Sequence, residues 1–336
     1  MTDVELNCSL PLHYKHIVMA HGGGGRLMQQ LLDEYIQPVF NNPLLAEKND
    51  SAVFPVNAGK MAFTTDSYVV KPLFFPGGDI GKLAVCGTLN DLAMSGAKPL
   101  YLTCSLILEE GFALQDLRRI LLSMQETAVS AGINIVTGDT KVVEHGKADG
   151  VYINTAGVGV LETEQAINVQ AIRPGDVIII NSDLGRHGLA VMLEREGFDF
   201  EHNIRSDCAD LSALVNELLQ AGVEIHCMRD LTRGGLASTL IELASTAKLA
   251  IDIQQAEIPV HEDVRSLCEI LGFDPLYIAN EGCFALCIPA DHAQHALKLM
   301  HQHPLGKQAA IIGTVKQQVA QGYVSLITEF GIARAL

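Results

Sequence analysis

A turn signal at Arg173-Pro-Gly-Asp176 divides this chain where one alternation of strands and helices stops and another starts. Proline presets the turn and glycine releases it, so no regular element runs through. Upstream, the pattern predicts strand pieces at Met61–Thr65 and Tyr68–Val70 and a helix of small residues over Ile80–Met94. A strand follows over Leu100–Leu108. Leu117, Ile120, Leu121, Met124 and Ala128 recur at helical spacing and predict a helix over Leu114–Ser130. Strands close the unit at Ile133–Val136 and Val151–Val160. Downstream, the buried run Val177–Ile180 opens a second series. Its helices are predicted at Gly188–Arg195, Leu211–Leu219, Gly234–Ala247, Val260–Leu271 and Ala293–Met300, with strands near Ala285–Ile288, Ala309–Val315 and Tyr323–Ile327. The expected organisation is an irregular arm at 1–60, holding a helix from Leu27 to about Ile36, then domains at 61–170 and 171–336. At roughly 100–200 residues per domain, 336 residues fit two.

Charge and composition exclude several roles. A formal net charge of -16 argues against a nucleic-acid binder driven by phosphate contacts. An acidic chain that takes a phosphorylated ligand needs a divalent cation to neutralise the site. No apolar run approaches the roughly 20 residues of a membrane span, and Met1–Glu5 lacks the basic start of a signal peptide. The eight cysteines form no C-x-x-C pair, and most sit in apolar stretches. They read as buried free thiols of a reducing, cytoplasmic compartment.

Several segments carry possible chemistry. His21-Gly-Gly-Gly-Gly-Arg26 precedes a helix, and its glycines can turn successive N–H groups toward an anion or serve as a hinge. Gly77-Gly-Asp-Ile-Gly-Lys82 falls one residue short of a phosphate loop, with Leu83 where the hydroxyl belongs. Asp66 is expected to close a strand, Asp91 to lie in the small-residue helix, and Asp139 to follow a strand. Carboxylates so placed suit Mg²⁺ shared with phosphates, or serve as caps and turns. Lys141 stands two residues past Asp139, where it can offset charge on a phosphoryl group. In Arg229-Asp-Leu-Thr-Arg-Gly-Gly235, Asp230 or Thr232 can cap the next helix, or the turn can face a ligand. Glu281, between a helix and a strand, is a candidate base. His292, His295, His301 and His303 suit either a metal or a solvated helix face.

Together these residues resemble the hydrogenase maturation family HypE, within the superfamily of aminoimidazole ribonucleotide synthetase and selenophosphate synthetase. The matching segments are His21–Gly25, Phe63–Tyr68, Pro72–Gly78, Gly81–Pro99, Leu108–Gly111, Val136–Val143, Asp230–Gly235, Ala279–Gly282 and His303–Lys307. The resemblance implies an α+β, two-domain synthetase-like fold, with a ferredoxin-like N-terminal domain and a second α/β-layered domain. It implies a homodimer joined through the N-terminal domains, with ATP along the joined sheets. Asp66, Asp91 and Asp139 would be the Mg²⁺–phosphate ligands, Asn90 and Lys141 would line the phosphates, and His21, Gly22, Gly23, Gly24 and Gly25 would cover the nucleotide. The implied reaction is ATP-dependent dehydration of a C-terminal S-carbamoyl-cysteine to a thiocyanate, the source of cyanide for the iron of [NiFe]-hydrogenase. The implied partners are the carbamoyltransferase HypF and a HypC–HypD iron scaffold, with Lys141 and Glu281 as the catalytic pair.

Two departures qualify that expectation. The family ends in Pro-Arg-Ile-Cys, whereas the sequence here ends Phe330-Gly-Ile-Ala-Arg-Ala-Leu336. As given, it is expected to bind ATP without carrying the carbamoyl group. Arg186 also stands before His187 where the family has Asp. A selenophosphate-synthetase-like enzyme is a competing reading. That family's arm bears a reactive Cys or selenocysteine with Lys, whereas here it has His21 and Arg26. A non-catalytic ATP-binding scaffold is another, which would not need all these carboxylates.

Overall fold

The computed structural model describes residues 14–22, 26–42, 59–196 and 203–336. An N-terminal segment carries α1 (Arg26–Leu31), which widens into a π-helical turn at Leu32–Ile36. Leu31, Val39 and Phe40 pack into the core of the unit that follows.

That unit is built from β1 (Met61–Tyr68), a short hairpin of β2 (Phe74–Phe75) and β3 (Gly78–Asp79), α2 (Ile80–Met94), β4 (Ala97–Glu109), α3 (Leu114–Ser130), β5 (Asn134–Val143) and β6 (Val151–Leu161). The four long strands form one sheet in the order β1-β6-β4-β5. β4 and β5 run parallel and the other pairs antiparallel. Two helices cover one face of four strands, the layering of a ferredoxin-like domain, and the chain path is β-α-β-α-β-β. α3 is amphipathic and turns Leu117, Ile120, Leu121 and Met124 into the core. α2 is different: every residue but Lys82 and Asp91 is buried. A helix apolar all round must be covered all round. One side of α2 faces β1, β4 and β6, and another meets the second domain.

The second domain comprises β7 (Val177–Ile180), α4 (Arg186–Glu196), α5 (Ser212–Gln220), β8 (Cys227–Asp230), α6 (Gly235–Ala247), β9 (Leu249–Gln254), α7 (Glu262–Leu271), β10 (Phe284–Ile288), α8 (Ala293–Gln302), β11 (Ala310–Gln318), β12 (Tyr323–Ile327) and β13 (Ala333–Ala335). Its seven-stranded sheet has the order β13-β12-β9-β11-β7-β10-β8. Ile178 and Ile180 face a core shared with α6, while Val177 and Ile179 face one shared with α5 and α8. Burial on both faces explains why β7 reads as an unbroken apolar run. Ala93 and Met94 of α2 belong to the α5–α8 core, so the two domains share packing. Among the described residues, no helix is long and apolar enough to cross a membrane.

The structure corrects two strand ends. β1 continues through Asp66 to Tyr68, because β6 pairs with it residue by residue. β5 continues through Gly138 and Asp139 to Val143, paired with β4. Sheet pairing overrides the turn preference of those residues. The near-miss phosphate loop is also resolved. Asp79 caps α2, accepting from the N–H groups of Gly81 at 2.7 Å and Lys82 at 3.1 Å. Its carboxylate occupies the place a phosphate would take at that helix end. Replacing this cap in Asp79→Ala is expected to cost about 1–2 kcal/mol, and Asp79→Asn distinctly less. Urea denaturation monitored by circular dichroism measures both.

Candidate functional site

Four carboxylates meet where α2 touches the second domain. Asp66 lies on the α2 side of β1, the face shared by Thr64 and Tyr68. The Thr64 hydroxyl donates to Asp91 Oδ2 at 3.0 Å, which joins β1 to α2. Tyr68 and Thr155 bond to Thr88 one turn earlier on α2. Asp230 ends β8, a strand packed against α2, and Glu281 stands just before β10. Burial raises the proton affinity of Asp91, with the nearby Asp66 charge adding and Arg229 and Arg233 opposing. Asp230 is pushed up to about 6 by burial and then by Asp91. Glu281 is driven well above the usual carboxylate range, first by burial and then by Cys208, Asp207, Asp230 and Asp66. Like charges crowded in a cleft resist ionisation together.

The main chain around Glu281 is held from both domains. Asp207 accepts from the Glu281 N–H at 3.2 Å to each oxygen and from the Gly282 N–H at 3.0 Å. The Asn90 amide of α2 donates to the carbonyls of Ala209 at 3.0 Å and Glu281 at 3.4 Å, and its oxygen accepts from Leu211 N–H at 2.8 Å. Asn90 is 2% exposed. Its polar atoms tie the two domains together. Gly235 takes a positive φ of 61° and lies so close to the carbonyls of Leu276 and Ile278 that a Cβ would come within 2.6 Å of each. That approach seats the start of α6 beside the segment leading to Glu281.

Asp139 and Lys141 are elsewhere. Their strand, β5, is the far edge of the sheet from β1, three strand spacings or about 14 Å away. They pair in register with Ser105 and Ile107, on the face that the helices do not cover. Lys141 Nζ bonds Asp139 Oδ1 at 3.0 Å, and that bond lowers the proton affinity of Asp139. Within one chain, the expected trio of Asp66, Asp91 and Asp139 is thus split into a pair and an outlier. Lys141 and Glu281 also lie on opposite sides of the sheet. His21 belongs to a short turn at Met19–Gly22 that packs near β5. It is buried, accepts from Val18 N–H at 2.9 Å and stacks edge-on against Tyr14. Gly22 closes that turn. Gly23, Gly24 and Gly25 lie outside the described residues.

Other expectations resolve simply. Neither Asp230 nor Thr232 caps α6 with its side chain; Gly234 is the cap. His292 accepts from Glu224 N–H, and the His303 side chain caps the turn after α8. The seven described cysteines are buried and free. Arg186 pairs with Asp183 at 2.9 Å, and its charge opposes the rise in proton affinity that burial imposes on Asp207. Among the described residues, no three His, Cys, Asp or Glu side chains stand ready to enclose a metal alone. The donors present are hard oxygens, which suit a Mg²⁺ that takes one or two carboxylates and completes its shell with phosphate oxygens and water. Asp207 escaped the sequence reading because Ser206-Asp-Cys208 has no periodicity and no motif spacing.

Three comparisons set this chain among known proteins. The chain matches the families described as AIR synthase related protein, N-terminal domain, over residues 48–161, and C-terminal domain, over residues 173–324. It is 49% identical over 325 residues to the carbamoyl dehydratase HypE of Azotobacter vinelandii, covering 97% of this chain and 95% of that protein. A crystal structure of hydrogenase maturation protein HypE in complex with ATP superposes with a TM-score of 0.92 at 42% identity, over 95% of this chain and 96% of that one. A HypE–HypF complex gives 0.80 at 44% identity, over 93% and 99%.

The crowded carboxylates carry a cost that depends on pH. A carboxyl with a raised folded pKa binds its proton more tightly when folded. Its stabilising contribution is full below the unfolded value, near pH 4, and is lost as pH rises through about 6 for Asp230. Asp230→Asn is expected to remove roughly 1–3 kcal/mol of that loss. Urea denaturation of both chains at pH 4 and pH 7, in metal-free buffer, reads the difference.

Proposed function

The chain belongs to the HypE family of hydrogenase maturation proteins, within the AIR synthase related superfamily, and from that premise we propose that it is an ATP-dependent carbamoyl dehydratase. The observation that carries this reading is the desolvated Glu281 carboxyl, crowded by Asp230 and Asp66 where the domains join, with Asp91 near Asp66. It is supported by relatives that bear the dehydratase name and by relatives solved with ATP and with HypF.

The substrate is a cysteine S-carbamoyl group, S–C(=O)–NH₂, presented on a C-terminal tail and supplied by a HypF-type carbamoyltransferase. Cys287 is fully buried in β10 and is not that cysteine. An amide oxygen is a poor leaving group. Its attack on the γ-phosphorus of ATP releases ADP and converts it into a phosphate ester. Loss of one nitrogen proton gives the neutral imidate ester, and loss of the second with cleavage of the C–O bond then releases inorganic phosphate and leaves S–C≡N. Glu281 is the base for the nitrogen proton. In its ionised form, a carboxylate of raised proton affinity takes a proton more readily than an ordinary one. Asp66 and Asp91 are the residues that would hold Mg²⁺ against the phosphates, where the ion supplies charge neutralisation.

Lys141 and Asp139 stand on the other face of the sheet, where a second copy would meet them. The sheet face opposite α2 and α3 exposes Met61 at 47% and Phe63 at 74% on β1, and Ile107 on β4 at 41%. An apolar sheet face without a covering layer calls for a partner. A homodimer joined across it buries these side chains and turns Asp139, Lys141 and the His21 turn toward the other copy. The thiocyanate is passed on to iron on a HypC–HypD scaffold.

Intact mass tests the reading on this chain and on the same chain extended by a tail ending Pro-Arg-Ile-Cys. Each is incubated with the carbamoyltransferase and its substrates, then with Mg-ATP. The extended chain is expected to gain a carbamoyl group and then lose one water on adding ATP. Carbamoylation without dehydration would sink the dehydratase and leave an ATP-binding scaffold. In the active protein, Glu281→Gln is expected to slow dehydration about 100-fold or more, with ATP affinity within about threefold.

A further inference from the structure

We propose that Asp207 is a positioning residue that fixes the main chain of Glu281 and Gly282 and so aims the Glu281 carboxyl. The inference rests on the role given to Glu281 above. Asp207 is 8% exposed and lies on the irregular stretch 203–211 that precedes α5. All its carboxylate contacts with that loop are to main-chain N–H groups: both oxygens on Glu281, one on Gly282. The reverse bond also exists, since Ala209 N–H donates to the Glu281 carbonyl at 3.2 Å. The two stretches therefore clasp like a ladder of two rungs, outside any sheet. The approach is close enough to require glycine: a Cβ at residue 282 would overlap the Asp207 carbonyl oxygen.

The stretch bearing Asp207 is itself immobilised by three elements. Ser206 N–H donates to the Pro76 carbonyl of the β2–β3 hairpin at 2.8 Å. The Ser206 hydroxyl bonds His187 Nδ1 of α4 at 2.9 Å and accepts from Cys208 N–H at 3.1 Å. Burial pushes His187 down to about 4, so its ring is neutral. Asn90 of α2 holds Ala209 and Leu211. Burial raises the proton affinity of Asp207, and the Glu281 and Gly282 N–H groups and the Arg186 charge oppose that rise. Charge-assisted bonds to main-chain N–H groups are roughly twice as strong as neutral ones. A base displaced by about 1 Å loses much of its effect, so a rigid mount beneath Glu281 is what its chemistry requires.

Asp207→Asn keeps the shape but loses the charge and one acceptor oxygen. Single-turnover dehydration is measured in the wild type, D207N, E281Q and the double variant, together with hydrogen exchange of the Glu281 and Gly282 amides. D207N is expected to slow dehydration about 10- to 100-fold, with the KM for ATP within about threefold. In the E281Q background the same change is expected to cost less than about twofold, because a positioning residue acts only through what it positions. The two amides exchange at least about tenfold faster in D207N, while those of α2 keep their protection. Gly282→Ala, which leaves the carboxylate intact but forces the clasp apart, gives the same loss of rate. An unchanged rate in D207N beside an impaired E281Q overturns the proposal and leaves the dehydratase standing. So does an equal fold-loss in both backgrounds. An E281Q that turns over at the wild-type rate removes the assignment of Glu281 and this inference together, while a wild type that never dehydrates removes the function itself.

Discussion

Helix α2 has no solvent face to speak of, and that constraint organises the molecule. Small residues let it pack against β1, β4 and β6 on one side and against the second domain on another. Burying such a helix means that each of its polar groups must find a partner inside the protein. Asp79 closes its first turn, Thr88 bonds Tyr68 and Thr155, Asn90 reaches the 209–211 and 281 main chain, and Asp91 takes the Thr64 hydroxyl. Each partner comes from a different part of the fold. The helix is thus both the core of the first domain and the template on which the second is seated.

The candidate site follows from that seating. Asp91 on α2, Asp66 on the adjacent strand, Asp230 and Glu281 from the other domain are brought together by packing whose energetics are mostly apolar. Their mutual repulsion is offset by burial of the surrounding cores, and by Arg229 and Arg233 at the rim. A charge-crowded cleft of this kind is poised to take a cation or a proton, and a dehydration coupled to phosphoryl transfer uses both.

Much of the fold was legible from the sequence because periodicity reports burial. The bounds of α2 and α3 agree with those read from Ile80–Met94 and Leu114–Ser130, and β7 was recognisable as a strand buried on both faces. Asp66 and Gly138-Asp139 misled, since both read locally as strand ends while cross-strand pairing carries β1 and β5 through them. The site was half legible. Residue type singled out Asp66, Asp91 and Glu281, but only the sheet order reveals that Asp139 stands three strands away and faces the other side. Asn90 was visible as a residue of interest, yet its partners lie more than a hundred positions along the chain. Asp207 left no trace, because what it holds is main chain, and main chain has no sequence pattern.

The Asn90 bonds have a consequence for how such proteins can change. Its single amide joins a helix of one domain to two loops of the other, and the shared core at Ala93 and Met94 lies two turns or less away. The domains are therefore not interchangeable modules. A half taken from a relative must bring a matching carbonyl, N–H group and loop height to the same helix face, or it leaves an amide buried without a partner. Drift in one half is answerable to the other at this seam, so the two halves of the chain are expected to travel through evolution as a single unit of inheritance.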